Sequence, residues 1–212
     1  MKIDFRKEND YWNKYWAEHS VPFAPSLFAK FVLQHLPPQA MLCELGCGNG
    51  RDAVYFSMNN ICVDAYDLAC NEIEYLQKKY ASTNLQFFVG DFSKLFSVEE
   101  KYNAIYSRFT IHSVTEEQED AVLAWAYTAL KKGGCVFFES RSIKDPLLQT
   151  GEKLSSNENF TDHYRRYMDA EKFQKKLLKL GFDIVYREES DLFAPYGDEK
   201  PMIVRIIAKK MK

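Results

Sequence analysis

Seven short apolar runs alternate along most of the chain with segments whose apolar positions recur every three or four residues. Residues 41–45, 61–66, 85–89, 103–107 and 135–139 have strand length and strand composition. Helical spacing fills the gaps between them. Residues 51–59 follow the first run, and residues 71–80, with Ile73, Leu76 and Tyr80 on one face, follow the second. Thr115-Glu116-Glu117-Gln118 reads as a capping box that opens a helix to Leu130, stopped by Lys131-Lys132 and Gly133-Gly134. Two helices precede the alternation. Residues 8–19 carry Tyr11, Trp12, Tyr15 and Trp16 as i,i+4 pairs, and a second helix runs from the N-cap Ser26 to Leu36, before Pro37-Pro38. After the fifth run the pattern lapses into a polar stretch, 141–168. It resumes with a helix capped by Asp169 and closed by Gly181, then strands at 182–187 and 202–208.

Five strand–helix steps predict an α/β fold, a doubly wound, mostly parallel seven-stranded sheet covered on both faces. The break at 191–201 permits a hairpin, so the last strand can run antiparallel. One domain is expected over 1–212. It divides into cap helices (1–38), a ligand-binding half (41–140), an insertion (141–168) and a C-terminal helix and hairpin (169–212).

Composition narrows the class. With 212 residues, 46% hydrophobic and 15% aromatic, the chain can bury one sizeable core. Charges nearly cancel, at 28 Lys+Arg against 30 Asp+Glu, which argues against a general nucleic-acid binder. The five cysteines form no Cys-x-x-Cys pair and no zinc spacing, so reduced thiols and no metal site are expected. No run approaches the roughly 18 apolar residues of a membrane span, and the first ten residues lack an apolar signal core. A cytoplasmic protein without membrane contact is the expectation; oligomeric state is left open.

Candidate chemistry centres on Glu44-Leu45-Gly46-Cys47-Gly48-Asn49-Gly50, between the first strand and its helix. Glycines permit positive φ and close approach of a ligand, while the helix start offers unpaired N–H groups. A dinucleotide fingerprint is Gly-x-Gly-x-x-Gly. Here the third glycine comes one residue early, and Arg51 stands at the dinucleotide position. Glu-x-Gly-x-Gly-x-Gly instead resembles the first motif of class I S-adenosylmethionine (SAM) dependent methyltransferases.

Over residues 41–210 the chain is similar to that fold, and the strand order and the antiparallel last strand follow from the resemblance. It implies SAM as cofactor and S-adenosylhomocysteine as product. Glu44 holds loop N–H groups and lies near the methionine part, with Gly46, Cys47, Gly48, Asn49, Gly50 and Arg51 around it. Asp67, ending the second strand, offers two acceptor oxygens to the ribose hydroxyls. Asp91, in Gly90-Asp91-Phe92, accepts from the adenine amine, while Phe92 and Leu68 flank the ring. Ser107 and Arg108 follow the fourth strand. Arg108 suits the SAM carboxylate or an acceptor anion, and His112 is a candidate general base, making these two the catalytic candidates.

The acceptor side draws on Tyr11 and Tyr15 from the first helix, and on Arg141, His163, Tyr164, Arg165 and Arg166 from the insertion. Arginines here suit phosphate or carboxylate. Gly-Cys-Gly-Asn-Gly-Arg most resembles small-molecule methyltransferases of the tellurite-resistance type, from which the 141–168 insertion departs. No Asn-Pro-Pro-Tyr motif follows the fourth strand, which disfavours nucleic-acid N-methylation. A small, anionic metabolite methylated at oxygen is expected, such as a phosphorylated or nucleotide-linked sugar or a cell-surface precursor. The competing readings are an NAD-type oxidoreductase and a non-catalytic SAM-binding or partner protein of the same fold.

Overall fold

The structure, a computed structural model, describes residues 5–95, 97–195, 197 and 199–211, with side chains from residue 10 onward. The first four residues of the expected cap lie outside the described residues. Two helices, α1 (Phe5–Glu18) and α2 (Leu27–Leu33), lead into the alternation β1 (Met41–Leu45), α3 (Arg51–Met58), β2 (Cys62–Asp67), α4 (Cys70–Lys79) and β3 (Leu85–Val89). Next come β4 (Tyr102–Arg108), α5 (Glu116–Ala129) and β5 (Leu130–Arg141). Three short strands, β6 (Glu152–Lys153), β7 (Glu158–Phe160) and β8 (Tyr164–Arg166), precede α6 (Ala170–Leu180), β9 (Phe182–Ser190) and β10 (Ile203–Lys210).

The main sheet has seven strands in the order β3-β2-β1-β4-β5-β10-β9. Pairing is parallel from β3 through to β5, and β10 runs antiparallel to both neighbours, as expected. Between β1 and β4 the winding reverses, which opens a crevice beyond the carboxyl ends of those strands. Burial on both faces makes the central strands continuously apolar, and alternate residues feed two cores. On β4, Ile105 joins the core under α5 and α6, while Ala104 and Tyr106 join the core under α2 and α3.

Local signals set the helix ends. Ser26, Thr115 and Asp169 each accept a backbone N–H as N-caps, Thr115 and Gln118 complete the capping box, and Gly181 closes α6 with φ +97°.

Two segments differ from expectation. The helix stop at Lys131–Gly134 belongs to the strand: α5 ends at Ala129, Leu130 turns extended and pairs with Tyr102, and a bulge between Tyr102 and Ala104 absorbs the extra residues. The polar insertion 141–168 folds into a small antiparallel sheet, β6-β7-β8. Its period-2 alternation turns Tyr164 and Arg166 inward and leaves Arg165 half-buried between them.

Candidate active site

The crevice is a cleft of about 1410 Å³ beyond the carboxyl ends of the central strands, walled by α1, the 141–168 insertion and the loop after β9. That exceeds the roughly 300–1,000 Å³ of a single small-ligand site, so two reactants fit.

On the β1–β2 side the glycine loop is built for close approach. A Cβ on Gly46 (φ +71°) would meet Thr110 Cγ2 at 2.3 Å, and one on Gly48 (φ +53°) would meet the Trp16 ring at 2.3 Å. The loop N–H groups of Gly46 and Cys47 donate to the Tyr66 carbonyl at 2.8 and 3.0 Å. Glu44 was expected to take such donors; instead its carboxyl is buried, and Oε2 has no partner. Burial, with Asp52 and Asp67 nearby, pushes its pKa well above the usual carboxylate range. An orphaned buried acceptor beside a glycine cradle fits a ligand that brings its own donor.

Asp67 takes the Gly48 N–H at 2.8 Å and the Ala69 N–H at 2.9 Å, so it fixes the loop while facing the cleft. Burial raises its pKa, and these backbone donors work in the opposite direction. Asp91 caps the short turn Phe92–Lys94 through Ser93 and pairs with Lys94 at 3.0 Å. Burial opposes its ionisation, but the Ser93 and Lys94 contacts outweigh that and hold its pKa below the usual value. Leu68 and Phe92 line the same end.

Asn49 and Arg51 line the cleft, but their hydrogen bonds hold the chain between α1 and α2. Asn49 Nδ2 donates to the His19 and Val21 carbonyls, both at 2.9 Å, and Arg51 donates to Ala24 O at 2.6 Å. Cys47 is buried, and burial pushes its thiol pKa up. Asp52 escaped the sequence reading. It accepts the Ser26 N–H and hydroxyl, both at 2.8 Å, and the Tyr106 hydroxyl at 2.7 Å, tying α2 to α3.

On the acceptor side the structure brings Tyr11, Tyr15, Arg108, His112, Arg141, His163 and Arg165 into one cleft from five parts of the chain. Both histidine rings are more than nine-tenths buried and stand 6.1 Å apart by centroids. Tyr11 and Trp12 pack on His163 at 4.8 and 4.9 Å. Burial keeps both imidazoles neutral: His112 is pushed well below its usual pKa and His163 to about 4, with Arg165 and Arg141 adding to the effect.

Arg108 is gripped at Nε by Glu139 (2.9 Å), which also holds Arg205 (2.7 Å), and lies 4.5 Å over the Phe109 ring. Phe109 has φ +53°, a strained backbone for a non-glycine residue at the cleft wall. Arg141 makes a two-pronged contact to Asp145 at 3.0 and 3.1 Å, and Arg165 pairs with Asp162 at 2.7 Å. The arginines therefore come paired with carboxylates, and the wall is less cationic than the bare Arg count implied. The β9–β10 loop adds Phe193 and Glu199, which no sequence signal marked.

Five candidates do not line the cleft. Gly50 stands at the N-cap of α3 with φ +73°. Tyr164 is fully buried and donates to Glu158 at 2.6 Å. Arg166 is buried on Glu119 and the Val114 carbonyl. The Ser107 hydroxyl shares a 2.6 Å hydrogen bond with Thr110, and the Gly90 N–H donates to Asp67 O at 2.9 Å. All five stand behind the wall. Among the described residues no cluster of three or more metal-ligating side chains occurs, and no helix is long and apolar enough to cross a membrane.

The strand order, the single reversed strand, the glycine loop and an acidic residue after each of β2 and β3 define the class I methyltransferase fold. Residues 42–134 match the model of a methyltransferase domain, and the fold is that of class I SAM-dependent methyltransferases. Among solved structures, a SAM-dependent methyltransferase from Methanosarcina mazei superposes with a TM-score of 0.74 at 15% identity, over 90% of this chain and 99% of that one. The 1,6-didemethyltoxoflavin-N1-methyltransferase of Burkholderia thailandensis, solved with S-adenosylhomocysteine and 1,6-didemethyltoxoflavin, gives a TM-score of 0.68 at 18% identity over 87% and 77%. Both are likenesses of fold. A sterol 24-C-methyltransferase of Pneumocystis carinii is 27% identical over 158 residues, 69% of this chain and 40% of that enzyme. The chain thus spans less than half the length of that relative.

Proposed function

We propose that this chain is a SAM-dependent methyltransferase that acts on a small molecule carrying an anionic group, with oxygen as the methylated atom. One observation carries the reading: a glycine loop with Glu44, Asp67 and Asp91 faces, across a single cleft, two buried neutral histidines ringed by Arg108, Arg141 and Arg165. Gly46, Gly48, Asp67, Leu68, Asp91 and Phe92 would hold SAM, with Asp67 on the ribose and Asp91 at the adenine. Bound there, SAM supplies an electrophilic methyl group on a sulfonium. The chain's own residues orient the acceptor for in-line attack and keep water out. The aromatic face of α1 closes one wall; Arg108, Arg141 and Arg165 steer the acceptor's anionic group; His112 offers a neutral imidazole to its polar atoms.

The aromatic wall of Tyr11, Trp12, Tyr15 and Trp16 favours a second reading, an apolar acceptor methylated at carbon. Incubation with methyl-labelled SAM and a small-metabolite extract, followed by mass spectrometry of the labelled product, separates the two. An anionic O-methyl product is expected. An apolar C-methyl product would replace the first reading with the second, and absence of any labelled product would overturn both.

A further inference from the structure

We propose that His163, oriented by Asp162, accepts the proton of the acceptor hydroxyl during methyl transfer, and that His112 binds the acceptor without taking its proton. The proposal rests on the methyltransferase reading above and assigns its proton path.

The two imidazoles differ in what faces them. His163 sits in the turn between β7 and β8 and is 4% exposed. Its Nδ1 lies 3.2 Å from Asp162 Oδ2, an ion-pair contact outside hydrogen-bond alignment. Catalytic hydrogen bonds are commonly long before the reactants bind. Asp162 is itself fixed from three sides: Tyr11 donates to Oδ2 at 2.7 Å, Thr161 to Oδ1 at 2.6 Å and Arg165 to Oδ1 at 2.7 Å. Burial opposes its charge, but these donors outweigh burial and keep it ionised. An ionised carboxylate at Nδ1 selects the tautomer with hydrogen on Nδ1, which leaves the Nε2 lone pair as acceptor. Nε2 is buried without a protein partner in a residue that lines the cleft.

His112 is buried to the same degree, and both its ring nitrogens lack partners. The groups that shift it are His163, Arg165, Arg141 and Arg108, and each of them opposes a proton on His112. A proton placed on His163 meets Arg165 from its own segment, Arg141 from β5 and His112 from the turn after β4, but it is offset by Asp162. Tyr11 and Trp12 on α1 cover the His163 ring, while the Asp162 carboxylate reaches solvent.

The step balances. The acceptor oxygen's lone pair forms the O–CH3 bond, the S–CH3 bond breaks, and its electron pair stays on sulfur as neutral S-adenosylhomocysteine. The O–H proton passes to His163 Nε2, giving an imidazolium beside Asp162. As the new bond forms the hydroxyl proton becomes strongly acidic, so a weak neutral base suffices.

The test compares the wild-type protein with His163→Ala, His112→Ala and Asp162→Asn, measuring label passed from methyl-labelled SAM into a small-metabolite extract. Calorimetric titration with S-adenosylhomocysteine runs in parallel to show that each variant is folded. His163→Ala is expected to lower transfer by about 10²–10⁴-fold with unchanged S-adenosylhomocysteine affinity, and free imidazole should restore part of the rate. Asp162→Asn should slow transfer and move the acid limb of the pH profile lower, because the carboxylate that favours the proton on His163 is gone. His112→Ala should lower transfer without any response to imidazole. Wild-type transfer in His163→Ala, or imidazole rescue of His112→Ala in its place, would overturn the assignment. So would a product methylated at an atom that carries no proton. Absence of transfer by the wild-type protein would instead remove the methyltransferase reading, and this one with it.

Discussion

Arg166→Ala is expected to destabilise the protein by about 3 kcal/mol, the low end of the cost of breaking a buried ion pair. In a chain of this size that is a fall of about 6–12 °C in melting temperature. Arg166 is 7% exposed, donates to the Val114 carbonyl at 2.9 Å and pairs with Glu119, itself 3% exposed. Truncation leaves Glu119 to Lys176 alone, at 2.8 Å, and strips Val114 of a donor. Because Lys176 remains, the low end applies. The pair pins the small 141–168 sheet to α5, so the acceptor wall should loosen with it. A thermal melt followed by circular dichroism measures the effect. A melting temperature within about 2 °C of wild type, with methyl transfer lost, would put Arg166 back among the acceptor ligands.

Asp67→Ala is expected to weaken SAM binding by tenfold or more, on the order of 1.5–3 kcal/mol for hydrogen bonds to a charged group. Two losses coincide. In the proposed role the ribose hydroxyls lose their acceptor, and the Gly48 and Ala69 N–H groups lose the carboxylate that holds the loop in shape. Calorimetric titration of the variant reads the change directly. Unchanged affinity would show that Asp67 serves the loop alone and that another group meets the ribose.

Much of the fold is legible in the sequence because parallel strands buried on both faces write themselves as unbroken apolar runs. The caps at Ser26, Thr115 and Asp169 are legible for a related reason, since each needs a specific side chain at a specific place. The start of β5 is not: two lysines and two glycines read as a helix stop, and only pairing with Tyr102 draws them into a bulged strand. The 141–168 sheet hides because its strands are two or three residues long and polar, too short for a period to emerge. That same hidden alternation separates Arg165, on the cleft, from Arg166, behind it; adjacent identical residues carry no sign of which is which.

Within the site, the glycine spacing and the acids ending β2 and β3 are local and readable. Glu44 is not, because the loop donors it was expected to take go to the Tyr66 carbonyl, a partner no side-chain pattern reveals. Asn49 and Arg51 stand inside the motif, yet they clasp the segment joining α1 to α2. The meeting of Tyr11 with Asp162 and His163 across about 150 residues is a product of folding and cannot be read from spacing.

The most direct test of the account is a calorimetric titration of the wild-type protein with S-adenosylhomocysteine and, separately, with NADH. One saturable site per chain is expected for S-adenosylhomocysteine, with no binding of NADH. NADH binding without S-adenosylhomocysteine binding would contradict it.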